Sequence, residues 1–131
     1  MDMVFDPIRK KWLLLTEEEW VRQCVLAWLC QTAGVPASMI ALEKILQLPD
    51  RKRRFDILVY NHEHQPQMLI ECKAPSVAIS EKAVRQLLSY KMMLSCRYIM
   101  LSNGHHNRIW EISGTSVQEI NLLPPYAAWV C

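Results

Sequence analysis

The sequence has almost no excess charge of either sign: its 131 residues carry a formal net charge of +2. That excludes binding to polyanions through bulk positive charge, so any affinity for nucleic acid must come from where the cations sit. No apolar run approaches the roughly 20 residues needed to span a bilayer. Residues 1–7 are mixed and acidic, with no basic stretch leading into an apolar one. Neither a membrane span nor a secretory signal is expected, and the cytoplasm is the expected location. The five cysteines are scattered and include no CxxC pair, which argues against a disulfide framework or a structural zinc site. His62 and His64, and His105 and His106, lie beside turn residues without a cysteine or acid at zinc-like spacing, and read as loop histidines. There is no internal repeat, low-complexity tract or mid-chain linker, so residues 1–131 are expected to form one domain. What is present is an ordinary globular balance, 51% hydrophobic and 21% charged.

Residues 1–15 read as an extended lead-in. Thr16-Glu17-Glu18-Glu19 is a capping-box pattern that opens a helix, with Thr16 at the N-cap and Glu19 at the third position. Trp20, Cys24, Ala27 and Trp28, with Val21 and Val25 adjoining, supply its expected buried face, and Gly34 and Pro36 end it. Residues 37–48 fit either a strand or a short helix followed by a strand. Strands are then predicted over Arg54–Tyr60 and Gln67–Lys73, joined by a polar turn. Ser80 caps a second helix running to about Ser95. Tyr98–Leu101 is an apolar run suited to a central strand, Asn103-Gly104 a turn, and Arg108–Ile112 a further strand. Residues 123–131 read as an irregular tail. The order α-β-β-β-α-β predicts an α/β domain with a mixed sheet flanked by helices.

Side chains alternate along a strand, so Glu71 and Lys73 share a face. If Tyr60 faces Gln67 across the turn, the same register sets Asp56 opposite Glu71, with β-carbons about 4.5–5.5 Å apart. Two facing carboxylates repel unless positive charge lies between them. Lys73 supplies one such charge. A divalent cation would supply the rest, and oxygen-only ligands favour Mg²⁺ or Mn²⁺.

Asp56, fourteen intervening residues and Glu71-Cys72-Lys73 form a D…ExK signature, and Gln86-Leu87-Leu88-Ser89-Tyr90 a QxxxY motif. The chain thereby resembles the PD-(D/E)xK nuclease superfamily in its RecB-like branch. Arg54–Tyr60, Glu71–Ser76 and the first-helix stretch Glu18–Gln23 look closest to the N-terminal nuclease domain of type I restriction enzyme R subunits. The resemblance runs from about Pro7 to Asn103, with Phe55 where the superfamily name has proline. It implies a restriction-endonuclease-like core and a Mg²⁺- or Mn²⁺-dependent endodeoxyribonuclease. Asp56, Glu71 and the backbone carbonyl of Cys72 would hold the metal, and Lys73 would position the nucleophilic water. Gln86 would orient the site or touch DNA, with Tyr90 in support, and Glu19 would match the first-helix acid. DNA is the implied partner, with restriction-modification or motor subunits; the motor itself is not expected within a chain ending at Cys131.

Several alternatives stay open. An ExK triplet alone is common on solvated strand faces, and only its combination with Asp56 and QxxxY raises it above that. Glu19 is already explained by capping, and Glu18 and Glu43 compete with it. Arg53 and Arg54, in the run Arg51–Arg54, either clamp phosphates or form a solvated turn. Trp20 and Trp28 read as core rather than as base-stacking platforms, and Trp129 cannot be placed. The competing function is a catalytically silent nucleic-acid-binding or subunit-interaction module. An RNA-directed nuclease is a third option, since nothing in the sequence reads base edges or a 2′-hydroxyl.

Overall fold

The computed structural model describes residues 2–92 and 95–129. The lead-in is extended but not single: β1 (Met3–Asp6) and β2 (Lys11–Leu14) pair as an antiparallel hairpin separate from the main sheet. Helix α1 (Glu17–Gln31) follows, and the Thr16 hydroxyl accepts the Glu19 amide at 3.1 Å, as the capping pattern predicts. Its buried face differs from expectation. Val21, Arg22, Val25, Leu26 and Leu29 are buried, Trp20, Cys24 and Trp28 are only half-buried, and Ala27 is exposed. Two adjacent stripes share the helical period here, and the smaller aliphatic one fits the flat sheet. Gly34, at φ 76°, reverses the chain so that the Val35 amide reaches the Leu29 carbonyl at 2.9 Å.

A 3₁₀ turn (Ala37–Met39) and then β3 (Ile40–Gln47) resolve the ambiguous segment. β3, β4 (Lys52–Tyr60), β5 (Pro66–Cys72), β6 (Tyr98–Ser102), β7 (Asn107–Ser113) and β8 (Ser116–Ile120) lie side by side in that order. Every neighbouring pair is antiparallel except β5–β6, which is parallel. The parallel pair requires a crossover, and α2 (Glu81–Leu88) lies within it. Ser80 caps α2 by accepting the Ala83 amide at 3.1 Å. The helix is shorter than predicted: a 3₁₀ turn (Ser89–Met92) follows it, and residues 93–94 of the predicted span lie outside the described residues.

The sheet is the middle of three layers. Ile57, Val59, Met68, Ile70 and Cys72 pack with Val21, Val25, Leu26 and Leu29 of α1. Phe55, Leu58, Leu69, Ile99 and Leu101 pack with Val84 and Leu87 of α2 and with Tyr90. Alternate residues of β5 therefore enter different cores, which is why β5 and β6 read as near-continuous apolar runs. β8 was not anticipated, because Ser116-Val117-Gln118-Glu119-Ile120 is an edge strand with little apolar signal. The tail has little regular structure, yet it docks. Leu123, Tyr126 and Trp129 are buried, and the Tyr126 hydroxyl donates to the Tyr60 carbonyl at 2.6 Å. Among the described residues, no helix is long and apolar enough to cross a membrane.

Candidate active site

Lys73 follows the end of β5, where its amide donates to the Ser102 carbonyl of β6 at 2.7 Å. That bond carries the parallel ladder one residue past the strand and fixes the chain direction at Lys73. Two residues earlier, Glu71 opens on the α2 side. Glu71, Lys73, Arg53 and Gln86 line one small cavity of about 60 Å³, closed by Ala83, Leu87 and Leu101. Gln86, on α2, lines the cavity but is exposed, and it does not share a face with Tyr90, which is buried in the α2-side core.

The predicted β4–β5 register holds at Ile57–Ile70, Leu58–Leu69 and Val59–Met68. It fails at the turn, where Tyr60 pairs with Pro66 rather than Gln67 and a bulge absorbs the difference. Continued one residue, that register sets Asp56 opposite Glu71, and the Asp56 amide lies 3.4 Å from the Glu71 carboxylate. The expectation that both carboxylates lie on one regular strand face needs correction. Phe55 joins the α2-side core and Ile57 the α1-side core, so the alternation of β4 breaks at Asp56. Across on β3, Glu43 has a left-handed φ of 53° and drops out of the pairing between Leu42–Ile57 and Lys44–Phe55. Asp56 is thereby turned toward α1. Its Oδ2 accepts the Cys72 amide at 2.8 Å, and its Oδ1 lies 3.5 Å from the Arg22 guanidinium. Asp56 therefore has a structural partner as well as its predicted role, and Asp56→Asn, which keeps an acceptor for Cys72, is a cleaner variant than alanine.

Burial and the neighbouring Asp56 carboxylate push the Glu71 carboxyl above the ordinary glutamate range, against the weaker pull of Arg53 at 3.3 Å. An acid raised in the folded state lowers stability at pH values above its folded pKa, and the penalty fades as pH falls toward the unfolded value. Glu71→Gln is therefore expected to raise the melting temperature of the metal-free protein at about pH 7, with the gain shrinking toward about pH 4. A gain that is the same at both pH values, by calorimetric scanning, would assign the effect to packing instead. Burial also pushes the Cys72 thiol far up, so its side chain stays neutral. The thiol belongs to the α1-side core, which leaves the backbone as the ligand its position can offer.

The remaining predicted residues are placed as follows. Glu19 is buried, and its carboxylate receives Arg9 on both oxygens at 2.8 Å, Arg22 at 2.8 Å and Gln23 at 3.1 Å. It reaches Asp56 only through Arg22. Glu43 is the upstream acid beside the site, 3.9 Å from the same Arg22 nitrogen that faces Asp56; Glu18 is exposed at the start of α1. Arg53 lies in the cavity with its guanidinium over the rings of Phe55 and Tyr90, whereas Arg54 is exposed. Tyr90 is buried rather than surface-facing: its ring sits edge-on to Phe55, and its hydroxyl accepts Arg51 at 2.9 Å. It supports the cations instead of meeting a ligand itself. The four histidines are exposed, His105 beside Trp20 and His62 beside Tyr126. Among the described residues, no group of three or more His, Cys, Asp or Glu is close enough to hold a metal ion. Arg22 was missed by sequence reasoning, and Arg51 was read only as part of the basic run Arg51–Arg54. The three-residue spacing of Glu19 and Arg22 on one helix face was the available signal for the first.

Comparison with known families settles the relationship. The sequence profile of the type I restriction enzyme R protein N terminus (HSDR_N) matches residues 17–124. The chain belongs to that family. The R-protein N-terminal match takes in every candidate site residue, from Glu18 to Tyr90. Among the solved structures that share the fold are two of particular relevance. One is a fragment of a candidate HsdR subunit of a type I restriction enzyme from Vibrio vulnificus YJ016, 16% identical with a TM-score of 0.62. That alignment covers 86% of this chain but 24% of the other, so the present chain spans about a quarter of it. The second is a candidate nuclease of the DUF820 group from Anabaena variabilis ATCC 29413, 11% identical with a TM-score of 0.57, with 92% and 82% of the two chains covered. No curated protein matches the sequence. The mixed α/β sheet with flanking helices is thus the architecture of restriction-type and nuclease-like relatives.

Proposed function

We propose that this R-protein N-terminal domain is a metal-dependent endodeoxyribonuclease of the PD-(D/E)xK superfamily, hydrolysing DNA phosphodiester bonds. One juxtaposition carries the reading: Glu71, which lines a cavity with Lys73 and Gln86, accepts the backbone amide of Asp56 at 3.4 Å, while the Asp56 carboxylate itself lies toward α1. A hard divalent cation would suit these donors, because burial and then repulsion from Asp56 disfavour the charged Glu71 carboxylate, and such an ion would offset both. Asp56, Glu71 and the Cys72 carbonyl would hold Mg²⁺ or Mn²⁺. A metal held there would supply an activated water and offset charge growing on the phosphate.

The chain's own groups do the rest. The Lys73 ammonium, on a residue whose backbone amide is held by the Ser102 carbonyl, holds the attacking water and meets the negative charge that develops on the phosphate oxygens. Gln86 orients that water or the scissile phosphate from the opposite wall. Arg53 and Arg54 bind flanking phosphates, with Tyr90 bracing the first of them. The natural setting is the cytoplasm, with DNA as substrate and other subunits of a type I restriction system as partners.

The competing reading is a silent binding or subunit-interaction module. Arg22 beside Asp56 and Arg53 beside Glu71 favour it, since both carboxylates already have a cation nearby. Titration calorimetry with Mn²⁺ separates the two. Binding that is present in the wild type and lost in Asp56→Asn, together with Mn²⁺-dependent plasmid nicking, supports the nuclease. DNA binding without nicking in either metal, alone or with partner subunits, leaves the silent module.

A further inference from the structure

Arg22 has no place in the mechanism above, yet it is more buried than Arg9 or Arg53. It is buried, with a side-chain exposure of 8%, and its Nε has no hydrogen-bond partner among the described residues. A buried guanidinium with an unsatisfied N–H is expensive unless its remaining contacts are strong. They form a chain. Asp6, fully buried at the end of β1, pairs with Arg9 at 2.6 Å, and Arg9 pairs with Glu19 at 2.8 Å. Glu19 holds Nη1 of Arg22 at 2.8 Å, and Nη2 of Arg22 then lies 3.5 Å from Asp56 Oδ1. Both oxygens of Asp56 are thus addressed, one by Arg22 and the other by the Cys72 amide.

We infer that Arg22 is a positioning residue for Asp56. Glu19 orients the guanidinium, and the guanidinium fixes the plane of the carboxylate that the nuclease reading assigns to the metal. The inference rests on that reading. It also explains why a first-helix acid with every oxygen occupied belongs to the site: Glu19 acts through Arg22 and touches no ligand. Arg22 makes the ion pair with Glu19 and the one with Asp56 through separate nitrogens of one planar fork, a geometry that a lysine cannot reproduce.

The test is Mn²⁺ affinity of the full metal-free chain without DNA, measured by titration calorimetry for wild type, Arg22→Lys and Glu19→Gln. Arg22→Lys keeps the charge and removes the fork, so simple electrostatics at the site is held constant. It is expected to weaken Mn²⁺ binding about 10-fold or more, the usual scale for losing a group that orients a ligand. In nicking assays it should lower kcat while leaving the KM for DNA near the wild-type value. Glu19→Gln, which never contacts the ion, is expected to shift Mn²⁺ affinity in the same direction. A Mn²⁺ affinity unchanged in Arg22→Lys, beside a wild type that binds, overturns the positioning role and leaves the nuclease reading standing. If Arg22→Lys does not fold, judged by circular dichroism, Glu19→Gln decides on the same criterion. A wild type that binds no Mn²⁺ removes the nuclease reading, and this inference falls with it.

Discussion

Lys73→Ala is expected to slow plasmid nicking by about 100-fold or more, the loss that follows removal of one preorganised electrostatic stabiliser. DNA affinity should change much less. Lys73 shares its cavity with Arg53, and each phosphate contact carries a modest share of a salt-dependent total. The expected pattern is a fall in kcat with KM nearly constant, because charge on the phosphate oxygens develops in the transition state rather than on binding. Lys73→Arg should recover only part of the rate. A planar guanidinium on a longer stem cannot place its charge where a compact ammonium sat, and the cavity beside Glu71 and Gln86 measures only about 60 Å³. Binding measured in Ca²⁺ and cleavage measured in Mg²⁺ or Mn²⁺ separate the two effects. Equal losses in binding and cleavage would demote Lys73 to a phosphate contact.

The largest effect on stability is expected from a residue far from that chemistry. Trp129 is 1% exposed, with ring centroids 5.2 Å from Tyr98 and 5.0 Å from Tyr126. Its indole N–H donates to the Pro124 carbonyl at 2.8 Å. Trp129→Ala should destabilise the fold by about 3–5 kcal/mol, combining lost burial with an unfilled cavity against the α1-side core. Urea unfolding is the measurement, read as a lower midpoint at an unchanged slope. A change near zero would mean that the tail detaches without consequence for the sheet. The docking contacts of Tyr126 with Ala33 and Tyr60 argue against that.

The contrast between these two residues shows what can be read from the chain. Lys73 was legible because its partners are local in strand geometry: alternation puts it with Glu71, and one hairpin register brings in Asp56. Gln86 was legible because a helix after the hairpin has few ways to return. Trp129 was not, since a tail without periodicity says nothing about which core it meets. The tryptophans of α1 misled for a related reason: two stripes of equal period compete, and only the sheet opposite chooses between them. The break at Asp56 is subtler. Nothing in Phe55-Asp56-Ile57 announces that two residues a strand repeat apart will enter opposite cores, because the twist depends on the left-handed Glu43 of the neighbouring strand. Arg22 escaped because buried charges cannot be told from surface ones until their partners are seen, and Asp6, Arg9 and Glu19 come together only when the β1–β2 hairpin folds back on α1.

The single parallel seam in the sheet bears on how this domain acquires its site. The pairs β3–β4, β4–β5 and β7–β8 close between chain neighbours, whereas β5–β6 must wait for the long excursion through α2. Loop closure over such a distance is entropically late, so local hairpins can form before the seam does. Lys73 is anchored across that seam, by its amide on Ser102, and Gln86 rides on the segment that must swing over to close it. A nascent chain with its hairpins formed would hold Asp56 and Glu71 but not yet Lys73 or Gln86 in place. The two carboxylates would come into register before the lysine and the glutamine reach them, and the cavity on the α2 side would close last.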